Sequence, residues 1–308
     1  MKERWFNWWF PPSSGFRLAM CRIVAVATQL LLFMPGLETQ IARLERSERF
    51  IDPQWLITLL AALAPHELLF SPEAFRALYM VTIAAGIMCL IGLLTRPSAF
   101  VFALGNWIMI SHIYSYGEEH HTDAIIAFFL MLLAFSPSGR RLSIDALLRS
   151  RRAAGDLEAE PMDTAVWPLK LVQVLIAWSY LSNGLAKLVY GGLGWMNGYT
   201  MQQYLLSAGV RRDLPLGVEL AGHHTLAVLM SIGTIVFELF FFVAVLFPKA
   251  VPYFLAAGVL LHVGIFMTMG ADFFQQIVMY IVFIDFDRWD RRGQEARGRD
   301  LAPAGAIG

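Results

Sequence analysis

Long apolar stretches recur along nearly the whole chain, and they constrain its fold more than any other feature. A transmembrane helix needs roughly 20 mostly apolar residues. Because lipid offers no partner for unpaired backbone groups, such stretches cross membranes as helices. We therefore predict an all-α fold, a polytopic transmembrane helical bundle with about eight spans. The predicted spans are residues 18–35, 74–94, 98–116, 123–137, 166–188, 225–247, 250–269 and 273–286.

One further apolar stretch, residues 55–64, is too short to span and predicts an interfacial or re-entrant helix. The composition agrees with a membrane setting, since 57% of residues are apolar, 16% are charged, and 24 basic residues balance 24 acidic ones. Soluble domains are about 45–50% apolar and about 25% charged. The composition therefore excludes a soluble globular enzyme, a disordered chain and nucleic-acid binding through bulk basicity. Membrane lipids are the first partner that we expect.

Cys21 and Cys89 both lie within apolar stretches, which indicates buried side chains rather than a redox pair.

Basic residues are unevenly distributed between the two sides of the predicted bundle. With the N-terminus placed inside, the inner segments carry more Lys and Arg than the outer ones, as the positive-inside rule requires. We therefore predict a multi-pass membrane protein with both termini in the cytoplasm. A cytoplasmic or interfacial segment, residues 1–17, precedes the transmembrane domain, residues 18–286, and a cytoplasmic tail, residues 287–308, is predicted to be disordered. Within the domain, residues 138–165 form a polar cytoplasmic loop and residues 189–224 an outer loop.

The fifth predicted span carries a stripe of polar side chains. Gln173, Tyr180, Asn183 and Lys187 fall within about 80° of one another on a helix of 3.6 residues per turn. Polar residues are costly in a membrane, so each is a candidate for function. The alternative interpretation is structural, because polar side chains also form hydrogen bonds between helices. Lys187 lies near the outer end of the span, where its amine could also reach the interface.

Three ionisable residues lie within other predicted spans. Arg22, in the first span, could neutralise a carboxylate, bind backbone carbonyls or bind a ligand. Glu238, in the middle of the sixth span, is expected to pair with a cation such as Arg22 or to stay protonated. His262, in the seventh span, could be a packing residue or a ligand-binding residue.

Two histidine pairs lie on the predicted outer side. His120 and His121 precede Asp123 at the mouth of the fourth span, and His223 and His224 precede the sixth span. Histidine is a common zinc ligand, but this spacing is not that of a zinc motif. We therefore expect no metal at either pair.

Four segments together resemble one family of membrane domains. They are GFRLAMCRIVAVATQLLLF, GLLTRPSAF, HHTDAIIAFFLMLLAFSPSGRRLSID and WSYLSNGLAKLVYGGLGWMNGYTMQQYL. Their order and residue types resemble the vitamin K-dependent γ-carboxylase-like membrane domain, known as the HTTM domain. The last segment is the most specific, since a Tyr, a small-residue step, a Lys and a Trp–x–x–Gly follow in order. The resemblance covers roughly residues 15–285.

The resemblance implies a chemistry for some of these residues. In the γ-carboxylases the domain holds a reduced naphthoquinone, and a lysine acts as the base that deprotonates it. Oxygen addition then yields a strong base that removes the γ-proton of a peptide glutamate, and carbon dioxide adds to the resulting carbanion. Lys187 matches that lysine, and His121 or its neighbour His120 matches a histidine that helps to stabilise charge. The expected cofactor is thus a reduced quinone, either a vitamin K-like naphthoquinone or ubiquinol.

The residues themselves fit such a site. Burial in an apolar setting disfavours the ammonium form of a lysine, which suits Lys187 to act as a general base. A lipid-borne quinol entering between spans would meet the polar stripe of the fifth span. The residues predicted to bind the quinol or substrate are Arg22, Gln173, Tyr180, Asn183, Trp195, Glu238 and His262.

Three functional hypotheses follow. The first is a carboxylase-like or quinol-dependent lyase or oxidoreductase, with a peptide or protein substrate on the outer side. The second is a non-enzymatic factor in peptide maturation or immunity, as for bacterial members of the family related to the sporulation-delaying protein B. The third is a proton-coupled transporter of small molecules, in which Glu238 and His262 relay protons.

Overall fold

A computed structural model describes residues 2–11, 13, 15–34, 36–44, 52–63, 71–117, 121–152 and 166–290. The regular secondary structure of these residues is helical, which confirms the predicted all-α class. The chain divides into two compact units, the first formed by Met1–Lys170 with Ile284–Gly308 and the second by Leu171–Phe283.

The first unit contains the helices of the N-terminal half. They are α1 (Lys2–Trp9), α2 (Phe16–Thr28, continued by the π-helical segment Gln29–Phe33), α3 (Leu37–Leu44), α4 (Trp55–Leu63), α5 (Pro72–Ile91), α6 (Thr95–Tyr114), α7 (His121–Phe135) and α8 (Ile144–Arg152). Helices α5, α6 and α7 pack against one another in chain order.

The second unit begins within α9 (Trp167–Gly191), after Lys170. It continues through a 3₁₀ helix (Gly192–Asn197), α10 (Tyr199–Arg212), α11 (Pro215–Ala221), α12 (His224–Phe240), α13 (Phe242–Leu246), a 3₁₀ turn (Pro248–Ala250), α14 (Val251–Met269), α15 (Phe274–Met279) and a 3₁₀ turn (Tyr280–Phe283). The predicted outer loop is therefore largely helical.

Four helical segments are long and apolar enough to cross a membrane: Phe16–Phe33, Pro72–Ile91, His224–Leu246 and Pro248–Met269. A helix also lies at each of the other predicted spans and at the short stretch 55–64. Two of these are apolar but short, namely Asp123–Phe135 and Phe274–Phe283. Helices α6 and α9 have 20 and 25 residues, but they carry more polar side chains. The prediction of eight spans is therefore not confirmed.

Two segments that carried the family resemblance meet in the first unit. The Asp145 carboxylate accepts hydrogen bonds from Leu94 N at 2.9 Å, Thr95 N at 2.8 Å and Thr95 Oγ1 at 2.7 Å, and so caps the start of α6. These bonds hold Leu94 in the left-handed region, with φ of 47°. Burial raises the pKa of the Asp145 carboxyl, but the hydrogen bonds from Thr95 and Leu94 outweigh it and hold that pKa below its usual range.

Arg22 is fully buried in the first unit and binds backbone carbonyls. Its Nη1 donates to Ser138 O at 2.8 Å, and its Nη2 donates to Leu142 O at 2.5 Å. Leu142 is another residue in the left-handed region, with φ of 48°. Of the three roles considered for Arg22, the structure therefore supports the binding of backbone carbonyls, which fixes the connection between α7 and α8.

Part of the predicted tail is bound to the first unit, so the prediction of disorder is wrong for residues 287–290. Ser13 Oγ donates to Asp287 Oδ2 at 2.6 Å, and Arg141 pairs with Asp290 at 3.1 Å. The carboxylates find donors in Ser13 and Arg141, which lie far away in the chain. Residues 291–308 lie outside the described residues.

Candidate functional site

The centre of the candidate site is an ion pair between α9 and α12. Lys187 Nζ donates to Glu238 Oε1 at 2.7 Å and to Glu238 Oε2 at 2.8 Å. The side chains are only 24% and 10% exposed, so water screens their charges weakly. Glu238 thus has the cationic partner that the sequence predicted, but the cation is Lys187 and not Arg22.

A small residue lets the two helices approach at this pair. Gly184 lies one helical turn before Lys187 on the same face of α9. A Cβ atom at Gly184 would lie 3.1 Å from Glu238 Cβ and 3.1 Å from Leu239 Cδ2, closer than ordinary packing allows. Gly184 therefore brings Glu238 within reach of Lys187.

Trp195 covers the Lys187 amine from another side. The Nζ atom lies 5.4 Å from the centre of the Trp195 ring, within the range of a cation–π contact. Trp195 belongs to the 3₁₀ helix that follows α9 directly. Lys187 thus lies between a carboxylate and an aromatic face, both of which interact favourably with a cation.

A second group of polar side chains lies at Tyr180, about two helical turns before Lys187 on α9. Tyr180 Oη is 2.6 Å from His262 Nε2 and 2.5 Å from Tyr280 Oη. All three side chains are buried. The rings of Phe237 and Phe241 pack on Tyr180 with centroid distances of 5.1 and 4.6 Å. The structure thus joins two predicted site residues, Tyr180 and His262, in one hydrogen-bonded chain with aromatic walls.

Two members of this group were missed from the sequence. Tyr280 and Gln276 lie one helical turn apart in the last apolar stretch, and both are buried. The Gln276 amide nitrogen and oxygen form no hydrogen bond with the described atoms. Their signal was a Gln and a Tyr at i and i+4 within an apolar segment, which is the spacing of neighbours on a helix face.

Gly258 makes room for the Tyr280 hydroxyl. A Cβ atom there would overlap Tyr280 Oη, so we expect Gly258→Ala to displace the phenol and break its bond to Tyr180. The expected loss in free energy of unfolding is about 1–3 kcal/mol, as for other overpacked sites. Thermal unfolding of the purified variant measures it.

Gly264→Ala is the matched control, because a Cβ there would meet none of the described atoms within 4 Å. It lies on the same helix, α14, and should be neutral or stabilising by up to about 1 kcal/mol. Equal unfolding temperatures for the two variants would contradict the close packing of Gly258 on Tyr280.

The other predicted site residues lie in different settings. Gln173 is buried, and its Nε2 donates to Val282 O at 2.6 Å, so this amide contributes to packing. Asn183 is half-buried on α9. His121 begins α7, but its side chain, like the whole of His120, lies outside the described residues.

The remaining histidine pair lies at the start of α12. His224 Nδ1 is 2.8 Å from Gln202 Oε1, and its ring packs on Tyr199. Within the described ranges, no three His, Cys, Asp or Glu side chains are grouped so that they could hold a metal ion.

The apolar helices and the buried charged site define a helical membrane protein. A model of the HTTM domain, which is found in vitamin K-dependent γ-carboxylase-like proteins, matches residues 12–289. The chain therefore belongs to the HTTM-domain family, which confirms the resemblance seen in the sequence. Searches of curated proteins and of solved structures gave no match.

Proposed function

We propose that this protein is an integral membrane enzyme that binds a reduced quinone, or another lipophilic ligand, in its second unit. Lys187 would serve as the general base in an oxidation-coupled modification of a substrate. The observation that carries this proposal is the weakly exposed Lys187–Glu238 pair, which lies on the same helix face as the buried Tyr180–His262 pair. Ionisable side chains within transmembrane helices are energetically costly, and most of those that are retained serve a function.

The side chains of the second unit suit a reduced quinone. Tyr180 and Lys187 are seven residues apart on α9, a rise of roughly 10 Å, and they supply polar groups at two levels of the helix. Phe237 and Phe241 supply apolar ring surface beside Tyr180, as ligand sites usually do. A bound quinol would supply the reducing equivalents for reaction with oxygen. Within this proposal Asn183 and Trp195 contact the ligand, and His121 or His120 stabilises charge. Gln173 is left out of the ligand site, because its Nε2 donates to Val282 O.

The site residues differ in what they would do with a proton. The Tyr180 hydroxyl and the His262 ring share a hydrogen bond whose proton either atom can carry. After it has taken the proton, Lys187 would be an ammonium and would stabilise the negative charge that develops on a ligand oxygen. Arg22 is left out of the ligand site, because its Nη1 and Nη2 donors bind Ser138 O and Leu142 O.

The proposal includes a cellular setting. The basic residues favour an orientation with both termini in the cytoplasm. The resemblance to bacterial members of the family favours the bacterial inner membrane. In that orientation α10 and α11 follow the outer end of α9, and a peptide or protein substrate would approach Lys187 from there. The proposal keeps the domain boundaries that were predicted from the sequence, namely residues 1–17, 18–286 and 287–308.

Extraction of the lipids that copurify with the protein tests the proposal. We expect mass spectrometry to find a naphthoquinone or ubiquinone bound to the native chain, and several-fold less bound to Tyr180→Phe. Tyr253→Phe is the matched control, because Tyr253 is 77% exposed on α14 and should retain the quinone. Absence of quinone from the native protein, or equal amounts in both variants, would contradict the proposal and favour a non-enzymatic factor in peptide maturation.

A further inference from the structure

Helices α10 and α11 pack against each other in the segment that the sequence predicted to be an outer loop. Close contacts fix this helix pair to the ends of two apolar helices. A Cβ atom at Gly198 would lie 2.8 Å from a backbone nitrogen in the second turn of α12, and one at Gly217 would overlap Thr268 O near the end of α14. Arg212 Nη1 also donates to Gly270 O, just after α14. The pair is therefore packed onto these helix ends.

The packing of α10 fixes its depth along α12. Met201 and Leu205, on the buried face of α10, form an apolar cluster with Ala227, and Met230 packs against it. His224–Leu246 is long enough to cross a membrane, and its 23 residues rise about 35 Å against a hydrocarbon core of about 30 Å. Ala227 and Met230 lie about 5 and 9 Å from the start of α12. Helix α10 therefore lies at the depth where lipid headgroups give way to acyl chains.

The opposite face of α10 exposes apolar side chains. Tyr199, Leu206 and Val210 fall within about 40° of one another around the helix axis, and all three are exposed. Gln203 is the polar side chain on the same stripe. Residues 199–210 contain no charged side chain, whereas residues 211–213 are all charged. An apolar stripe that carries a tyrosine and ends in charges is typical of a helix in the membrane interface.

We propose that α10 is an interfacial helix whose exposed face, formed by Tyr199, Leu206 and Val210, contacts the lipid of the bilayer. The inference does not rest on the proposed function, because it concerns only what surrounds this face. Interfacial helices bury their apolar face by about 5–10 Å, which agrees with the depth of α10 along α12. Leu229, in the second turn of α12, is 60% exposed at the same level, so both helices offer apolar surface to lipid there.

Lipid contact at α10 is linked to the candidate site by direct packing. The Trp195 ring, which lies 5.4 Å from Lys187 Nζ, packs against the cluster of Met201, Leu205 and Ala227 that anchors α10. Helix α10 thus contacts lipid on one face and, through its other face, supports the ring that covers Lys187.

Spin labels attached to single cysteines test the inference in lipid nanodiscs. The native Cys21 and Cys89 are fully buried, so they will not compete for the labelling reagent. We expect labels at Leu206→Cys and Val210→Cys to be several-fold more accessible to oxygen, which partitions into lipid, than to a water-soluble nickel chelate. Glu219→Cys is the matched control, because Glu219 is a charged residue exposed on α11, and its label should favour the nickel chelate.

The other outcomes would overturn the inference. Labels on α10 that favour the nickel chelate would place this face in water. Labels shielded from both reagents would show that protein covers it, either a second copy of this chain or a peptide partner. Either result would leave the proposed quinol site intact, since copurified lipids test that site separately. Should Leu206→Cys fail to fold, Tyr199→Cys provides another position on the same stripe.

Discussion

Replacing Lys187 by methionine is expected to lower quinol-dependent turnover by about 10²- to 10⁴-fold, the usual contribution of acid–base catalysis. Methionine fills a similar volume but removes the ammonium that pairs with Glu238. Without the Lys187 amine the site has no general base to take the proton of a ligand hydroxyl. Oxidation of a reduced naphthoquinone by the purified variant, followed by absorbance, measures the effect.

The matched control in the turnover assay replaces a lysine outside the site. Lys249→Met serves this purpose, because Lys249 is exposed in the 3₁₀ turn Pro248–Ala250. Its turnover should equal that of the native protein. If Lys187→Met also retained native turnover, Lys187 would have no part in catalysis.

Arg22→Met is expected to destabilise the first unit by about 2–4 kcal/mol. Hydrogen bonds from a charged donor contribute about 1.5–3 kcal/mol each, and removal of a costly buried charge offsets part of their loss. The variant leaves Ser138 O and Leu142 O without the guanidinium that binds them. It also releases Leu142 from the left-handed conformation that this bond maintains. Thermal unfolding in detergent micelles measures the change.

Arg96→Met is a suitable control for Arg22. Arg96 is exposed, and its Nε donates to Ser136 O over a longer distance of 3.3 Å. We expect a change below about 1 kcal/mol, as for most exposed positions. An Arg22→Met protein as stable as Arg96→Met would show that the buried guanidinium does not hold the connection between α7 and α8.

The sequence was a good guide to the positions of helices. Apolar length alone placed a helix at every predicted span, because helix formation in an apolar run depends on local residues. Apolar length did not establish how many of these helices cross the membrane. Helices α6 and α9 have the length of a span but bury Asn106, His112 and Gln173 among their neighbours. Their polar side chains fit packing inside protein, which local hydropathy does not report.

The candidate site was partly predictable for the same reason. Helical periodicity places Tyr180 and Lys187 on one face of α9, since residues on one helix face are fixed by the sequence of that helix. The partner of each residue depended on packing between distant segments. Gly184 brings Glu238 to Lys187, and Gly258 admits Tyr280 to Tyr180. Such close approaches depend on tertiary structure, so one sequence does not identify these partners.

Arg22 shows a related limit. The sequence indicated that a buried arginine needs partners, and it named backbone carbonyls among the alternatives. The carbonyls that bind it lie in a connection 116 to 120 residues away along the chain. Only the fold brings them together, so the sequence could not decide between a structural role and a ligand role.

Photoaffinity labelling with an azido-substituted naphthoquinone is the most direct test of where the ligand binds. The account predicts labelled peptides within Leu171–Phe283, protection by unlabelled reduced quinone, and weak labelling of Tyr180→Phe. Labelling confined to residues 2–152, or labelling in the second unit that unlabelled quinol does not reduce, would contradict a quinol site beside Lys187 and Glu238.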